Sequence, residues 1–274
     1  MVAQGAVSSM IRRDPLLGVV APEVGWSPAI RYLLRRDRVR RLLSDVTPAR
    51  LVEVGCGSGA LLDELAHGGW DAVGVESSAA ALSIAQAIRK ASGGMQRLLV
   101  SPAPDWRQCF ELALALDVLE HIEEDRKALE TWREWLVADG LLLLSVPAHR
   151  RNWGAGDVWA GHYRRYDRAD LELLLDRSGF DILHVECYGF PIANLVDAIA
   201  QREYRRLLSE RPSMTPMAIA TAASGVERRG VMRWFGWLDS GIGRLALRFA
   251  IWLQDLFVQR DWGNGYVVLA RPRP

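Results

Sequence analysis

The apolar positions of this chain alternate between short continuous runs and stripes spaced three or four residues apart. Continuous runs, which indicate strands buried on both faces, are found at 51–54, 71–76, 95–100, 110–116, 141–147, 180–187 and 265–270. Helical spacing is found at 59–67, 78–91, 123–138 and 168–178. Strands and helices that alternate in this way predict an α/β fold with a doubly wound, mostly parallel seven-stranded sheet.

The N-terminal residues 1–47 do not follow this alternation. The arm 1–25 has scattered Gly and Pro and no period, so we expect it to be irregular. Ser27 as N-cap and Pro28 at the first helical position then predict the start of a helix. Its arginine-rich face is expected to lie in solvent, with an anionic surface such as lipid head groups as the alternative.

A second departure from the alternation of strands and helices lies between the last two apolar runs, which are about 75 residues apart. A connection of this length needs structure of its own, and apolar spacing predicts helices at about 191–209, 215–224 and 231–258. We expect a buried helix within 241–257 to pack over the mouth of the site, or else to contact a membrane surface or a second copy. The expected layout is an N-terminal arm and covering helix (1–47), a core (48–190 with 265–274) and a helical insertion (191–264).

Composition narrows the class of protein. Half of the 274 residues are hydrophobic, enough for one large core. No apolar run is long enough to predict a transmembrane helix, and no secretory signal is seen. The three cysteines are widely spaced, which predicts reduced thiols in a cytoplasmic protein and no metal site. The sequence leaves the oligomeric state open.

Charge is unevenly distributed. Residues 1–50 contain nine arginines and four acidic residues, whereas 51–140 contain seven basic and fifteen acidic residues. This acidic half argues against binding to a nucleic-acid backbone. A small-molecule partner is therefore expected.

The stretch 51–65 carries the most specific chemistry. A buried strand leads into Gly55, Gly57 and Gly59, and a helical pattern follows from Ala60. Glycines at this turn let the backbone approach a ligand closely, and the helix N-terminus favours a negative group. The spacing Gly55-x-Gly57-x-x-Ala60 also fits a dinucleotide fingerprint, so NAD is an alternative ligand.

Glu53 and the third alternate glycine give Glu-x-Gly-x-Gly-x-Gly, which resembles motif I of the class I S-adenosylmethionine (SAM) dependent methyltransferases. Asp117-Val-Leu-Glu-His121 resembles the motif after the fourth strand in small-molecule members of that family. The resemblance implies SAM as cofactor and an antiparallel final strand pair. It implies a cofactor site made of Glu53, Gly55, Cys56, Gly57, Gly59, Glu76, Ser77, Ala103 and Asp117, with Glu76 at the ribose.

Residues 148–168 form a loop rich in aromatic residues, His and Arg beside the expected cofactor. Val-Pro-Ala-His and Gly-His-Tyr-Arg-Arg-Tyr resemble a subgroup whose loop covers the acceptor; a structural lid is the alternative. His121 is the first candidate for a base, followed by His162, Tyr163 and Tyr166.

The predicted function is SAM-dependent methylation of an aromatic or lipid-like small molecule, with oxygen slightly favoured as the acceptor atom. Two alternatives stay open. One is an NAD-linked oxidoreductase on the same sheet. The other is a non-catalytic SAM-binding protein that contacts a membrane through the N-terminal helix or helix 241–257.

Overall fold

The computed structural model describes residues 11–210 and 235–273. Its centre is a seven-stranded sheet in the spatial order β5-β4-β3-β6-β7-β9-β8. The strands are β3 (Arg50–Val54), β4 (Asp71–Val75), β5 (Arg97–Leu99), β6 (Phe110–Leu116), β7 (Leu136–Pro147), β8 (Phe180–Tyr188) and β9 (Gly265–Pro272). Only β9 is antiparallel to its neighbours, β7 and β8. The predicted doubly wound α/β sheet and its antiparallel final pair are confirmed.

Alternate residues of the central strands feed two separate cores. On β6, Ala113 and Ala115 pack with α4 and α6 on one face, whereas Leu112 and Leu114 pack with α1 and α2 on the other. The helices around the sheet are α1 (Ile30–Leu42), α2 (Ala60–His67), α3 (Ala79–Ser92), α4 (Asp125–Trp135), α5 (Ala155–Ala160) and α6 (Arg168–Arg177). Both faces of the sheet are covered, which explains the continuous apolar runs in its strands.

The prediction of an irregular arm is wrong for residues 11–25. A hairpin of β1 (Arg12–Asp14) and β2 (Gly18–Val20) is followed by a 3-10 turn. Its strands have three residues each, too few for alternation to be visible in the sequence. The hairpin is fixed by tertiary contacts, since Arg13 bonds to Asp63 and the Val19 amide donates to Glu64.

The helix start at Ser27 is also misplaced. Helix α1 begins at Ile30 with Ala29 as N-cap, and no side chain caps it. The backbone of Trp26 is bonded to Ala21 in both directions, at 3.0 and 3.1 Å. This bridge keeps the segment before the helix extended.

Most of the arginine face of α1 is not solvated, although Arg41 is half exposed. Arg36 and Arg38 are buried, and each is bonded to a carboxylate, Glu64 and Glu186 respectively. Sequence spacing could not identify these partners, because they lie 28 and 148 residues away. The arginines therefore clamp α1 to the protein instead of offering a free basic surface.

Two other elements have bounds that differ from expectation. Helix α4 ends at Trp135, three residues early, because Leu136 already pairs with Phe110. Strand β5 is shorter than predicted, and Met95 before it is 87% exposed.

Helices α7 (Ile192–Glu210) and α8 (Gly241–Asp255) lie between β8 and β9. The helix predicted at 215–224 lies outside the described residues, as does 231–234. Residues 235–238 are helical, and a break before α8 divides the long helix predicted at 231–258. Among the described residues, no helix has the length and apolar character needed to cross a bilayer.

Candidate active site

A cavity of about 760 Å³ lies at the carboxyl edge of β3, β4 and β6. Ligands of open α/β sheets bind at this edge, where the strand order reverses. Helices α1, α5 and α7 border the cavity on the other side. Residues of α8 do not line it, so the expectation of a buried α8 over the mouth is wrong; α7 has that place.

The three glycines of the loop serve different purposes, although all have positive φ, from 55 to 67°. A side chain at Gly55 would meet Val118 at 2.7 Å, and one at Gly59 would meet the Ala85 side chain at 3.0 Å. A side chain at Gly57 would meet no atom within 4 Å. Gly55 and Gly57 line the cavity, whereas Gly59 allows α2 and α3 to pack closely. Gly57 thus leaves open space where a ligand would lie.

The two predicted carboxylates of the cofactor site differ in their hydrogen bonding. Glu76 accepts from the backbone amides of Gly57 at 2.8 Å and Ser78 at 2.7 Å, which fixes its position at the end of β4. Glu53 is buried, and its Oε2 atom has no hydrogen-bond partner among the described residues. Burial raises the pKa of Glu53 to about 8, against the opposing effect of Arg35. Cys56 and Ser77 complete this wall of the cavity.

Asp117 is the hub of an ion-pair network that reaches α1. It adopts a φ of 57°, uncommon for a non-glycine residue, and accepts a bond from Ser145 Oγ at 2.9 Å. Arg35 pairs with its carboxylate, and Arg31 lies 3.5 Å away. Burial alone would raise the pKa of Asp117, but the two guanidinium groups and Ser145 hold it well below its ordinary range. Two arginines facing one carboxylate leave positive charge for an anion.

His121 and His162, the two histidine candidates, are brought together with ring centres 4.7 Å apart. The Nδ1 atom of His162 is 2.9 Å from Asp157, which also accepts from Arg165 at 2.7 Å. A carboxylate at Nδ1 places the proton there and leaves Nε2 as an acceptor. Burial, and then the charge of His162, lower the pKa of His121 to about 4. The Asp157–His162 pair therefore resembles an oriented base more closely than His121 does.

Glu120 lies beneath the two histidines. It is fully buried, its carboxylate oxygens have no hydrogen-bond partner among the described residues, and Oε1 is 3.9 Å from His162 Nε2. Burial, with Asp117 nearby, raises the pKa of Glu120. Ligand atoms of Glu120, His121 and His162 lie within 4.8 Å of one another. This cluster, which the sequence did not suggest, can share a proton or hold a divalent cation.

The remaining predicted residues lie away from the cavity. Tyr166 is buried with its hydroxyl 3.1 Å from Asp125, and Tyr163 is partly exposed and bonds through its amide to the Glu120 carbonyl. Neither lines the cavity, nor does Ala103; Ser101 and Pro102 border it instead.

Sequence reasoning singled out the loop 148–168 but did not name, one by one, the side chains that close the cavity opposite the glycines. They are Arg31 and Arg35 on α1, Asp157 and Trp159 on α5, and Gln201 and Tyr204 on α7. The only available signal was the spacing of four between Arg31 and Arg35, which puts them on one side of a helix. The other four have no motif of their own.

The residues present fit an adenosyl cofactor. Glu76 is held at the position where a carboxylate can accept from ribose hydroxyls. The open space over Gly57 admits the ligand, and the unpartnered Glu53 with the arginine pair suits a zwitterionic amino acid group.

Similarity to known proteins agrees with this geometry. A family model described as a methyltransferase domain matches residues 29–185. More than half of the chain is matched, and the chain belongs to this methyltransferase family. Its cofactor is S-adenosyl-L-methionine.

Curated proteins with similar sequences are named as O-methyltransferases. Ubiquinone biosynthesis O-methyltransferases from Rhodopseudomonas palustris and Azorhizobium caulinodans are both 28% identical to it, over 123 and 138 residues. These matches cover 43% and 47% of this chain and 46% and 54% of the relatives. The chain thus spans about half the length of the curated relatives it matches.

Solved structures share the fold. Haemonchus contortus phosphoethanolamine N-methyltransferase 2, in complex with SAM, has a TM-score of 0.53 and 17% identity, covering 88% of this chain and 52% of that one. The [4+2]-cyclase SpnF has a TM-score of 0.55 and 19% identity, covering 89% and 82%. A cyclase and an N-methyltransferase on one fold show that the acceptor chemistry must be argued from the site.

Proposed function

We propose that this chain transfers a methyl group from SAM to a hydroxyl oxygen of an aromatic or lipid-like small molecule. The observation that carries the proposal is the Asp157–His162 pair, whose histidine lines the cavity beside the cofactor wall. A hydroxyl acceptor must lose its proton to become a good nucleophile, whereas an amine or carboxylate acceptor need not. The O-methyltransferase names of the relatives support the same acceptor atom.

The chain's own residues hold the cofactor from both sides. Glu76 and the open face of Gly57 receive the ribose, and Glu53 with Arg31 and Arg35 receive the charged amino acid end. When bound, SAM supplies an electrophilic methyl group on a sulfonium. Burial raises the pKa of Glu53 to about 8 in the empty protein, so a cation beside it favours loss of its proton.

The second half of the cavity positions the acceptor. His162 Nε2 takes the hydroxyl proton, and Asp157 stabilises the imidazolium that forms. Arg165 bonds to the same carboxylate and keeps it in place. Trp159 and Tyr204, with ring centres 5.2 Å apart, offer an aromatic wall to the acceptor ring.

A peripheral contact with a membrane completes the proposal. The outer face of α8 and its end carry Ile242, Leu245, Phe249, Trp252 and Leu256, each more than half exposed. Their spacing of three and four residues makes one apolar stripe along the helix. Arg248 and Arg260 flank it and are exposed, which suits an anionic bilayer surface. This contact would place the cavity near a lipid-like acceptor.

Cofactor and acceptor can be tested separately. Parallel calorimetric titrations with SAM, S-adenosylhomocysteine and NAD test the cofactor, and binding of NAD alone would overturn it. Release of S-adenosylhomocysteine with phenols, amines and carboxylic acids then tests the acceptor. Turnover confined to hydroxyl compounds is expected. Binding of SAM without turnover of any acceptor would favour a non-catalytic role.

The membrane contact has its own test, by sedimentation with anionic and neutral vesicles. Phe249→Glu with Trp252→Glu should abolish binding to anionic vesicles. Leu183→Glu, at a position 47% exposed on β8, is the matched control and should bind normally. Equal binding by the double variant would remove α8 from the contact.

A further inference from the structure

A second cavity, of about 710 Å³, lies at the same edge of the sheet but beside β7, β9 and β8. It shares no lining residue with the first cavity. Two potential metal ligands, His149 and Asp261, line this cavity, and a third of different chemistry, Cys187, lies beside them. We propose that these three side chains bind a zinc ion, with the fourth coordination position open to this cavity.

The ligand atoms already converge. His149 Nε2 is 3.9 Å from Cys187 Sγ and 3.9 Å from Asp261 Oδ1, and all three atoms lie within 4.8 Å of one another. In a tetrahedral zinc site the sulfur and nitrogen ligands are separated by about 3.5 Å. A movement of a few tenths of an ångström, well within the range of side-chain rotation, would close the site.

The three ligands arrive from separate parts of the chain. His149 follows β7, Cys187 lies on β8, and Asp261 lies in the loop before β9. His149 and Cys187 are buried, whereas Asp261 is about half exposed. A buried nitrogen and sulfur with an accessible carboxylate leave an entry path for the ion from the cavity.

The backbone conformation of His149 is of a kind that is frequent at ligand sites. His149 adopts a φ of 62°, a left-handed conformation that is uncommon outside glycine. Its amide bonds to the Tyr166 carbonyl at 2.7 Å, which holds the residue in this conformation. Unusual backbone held by its surroundings is frequent at ligand sites.

Tyr266 supplies the supporting hydrogen bonds. Its hydroxyl donates to Asp261 Oδ1 at 2.6 Å and lies 3.4 Å from His149 Nδ1. His149 also bonds to the backbone of Gly263. The single proton of the neutral His149 ring lies on Nδ1 and faces the tyrosine oxygen. Nε2 therefore presents a lone pair to the metal. Outer hydrogen bonds of this kind orient metal ligands in proteins.

Charge and donor type favour zinc over a harder cation. One imidazole nitrogen, one thiolate and one carboxylate are a set that Zn²⁺ prefers, whereas Mg²⁺ and Ca²⁺ take oxygen ligands. Binding forms a bond between the metal and Cys187 Sγ and releases the thiol proton to solvent. The two negative ligands then balance the charge of the ion.

The bound ion would hold the first residues of the loop 148–168 in place. His149 begins this loop, which carries Asp157 and His162 to the first cavity. A metal ion that joins His149 to β8 would therefore restrict the position of the base, His162, from a distance and without contacting the acceptor.

Cobalt binding to the purified, metal-stripped chain tests the proposal directly. Cobalt bound to a thiolate gives a charge-transfer band in the near ultraviolet, so a site with Cys187 is distinguished from the Glu120–His121–His162 cluster, which has no sulfur. We expect the band in the wild type, in Cys109→Ser and in His162→Ala. We expect no band in Cys187→Ser.

Two further variants keep the test informative if Cys187→Ser fails to fold. Asp261→Asn changes a half-exposed loop residue and should weaken cobalt and zinc binding. Tyr266→Phe removes only the outer hydrogen bond and should weaken zinc binding by about 10- to 100-fold. A wild type without the band, or a band that persists in Cys187→Ser, would overturn the proposal.

Discussion

The two halves of the main cavity are built in different ways. The cofactor half is a local structure, in which the strand β3, the glycine loop and the end of β4 lie within 26 residues of sequence (51–76). The acceptor half is assembled from the turn after β6, α5 and α7, which span residues 117 to 204, and α1 closes the cavity between the two halves. Backbone shape dominates the first half, whereas long-range side-chain pairs dominate the second. The first half therefore has one continuous sequence signature, whereas the second has only separate ones, the Asp117–His121 motif and the loop 148–168.

The largest expected effect breaks the cofactor half alone. Gly57→Leu should abolish SAM binding, because the side chain would fill the open space in the cavity. Calorimetric titration measures the loss. Gly93→Leu is the matched control, since Gly93 has a φ of 67°, also faces open space and lies outside the cavity. Both variants should lose about 1–2 kcal/mol of stability from the left-handed backbone, but only the first should lose the ligand.

The next effect breaks the acceptor half. His162→Ala should lower turnover of a hydroxyl acceptor by about 10²- to 10⁴-fold, the usual contribution of a positioned base. SAM affinity should stay nearly unchanged, because His162 is bonded to Asp157 and lies beside His121 and Glu120, away from the glycine loop and Glu76. Comparison with His121→Ala decides between the two histidines. A larger loss in His121→Ala would restore His121 as the base.

The ion pair that joins the halves can be tested by unfolding. Asp117→Asn leaves Arg35 and Arg31 without their carboxylate, and loss of one partner of this partly buried pair should cost about 1–3 kcal/mol. The pKa of Asp117 is depressed, so its stabilising effect is present above the ordinary carboxyl pKa and is lost as the pH falls. Urea unfolding at pH 7 should show the deficit, and acidification should shrink it. A deficit that does not change with pH would assign the effect to packing.

A smaller effect concerns Glu53, which lacks the hydrogen bonds that hold Glu76 in place. Because burial raises the pKa of Glu53 to about 8, ionising it destabilises the fold, and stability is lost as the pH rises from about 4.5 towards 8. Glu53→Gln should remove this slope in ligand-free protein, with little effect at pH 4.5. Urea midpoints across this pH range provide the measurement. A slope that survives the substitution would show that another group titrates.

The smallest signal is the proton that cofactor binding should release from Glu53. Calorimetry of SAM binding near pH 7, in buffers of different ionisation enthalpy, should detect a fractional proton. Glu53→Gln should release none. Equal release by both proteins would place the proton elsewhere.

Prediction succeeded where local sequence and local structure coincide. The glycine loop, the position of Glu76 after β4 and the antiparallel final strand pair were all foreseen. It failed at the N-terminal hairpin and at the arginine face of α1, because their partners lie far away in sequence. It also misplaced the tyrosines. Tyr166 belongs to the Gly-His-Tyr-Arg-Arg-Tyr motif, but its hydroxyl is bonded to Asp125 and it does not line the cavity.

The class of sheet could be predicted from the apolar period of the chain, and the family from the resemblance of its glycine-loop and Asp117–His121 motifs to known ones. Both signals extend over a few neighbouring residues. Tertiary packing alone brings Arg31 and Arg35 to Asp117, Asp157 to His162, and His149 to Cys187 and Asp261. Such contacts depend on the packing of distant segments, and a buried charge or ligand must find its partner wherever the fold brings one within reach.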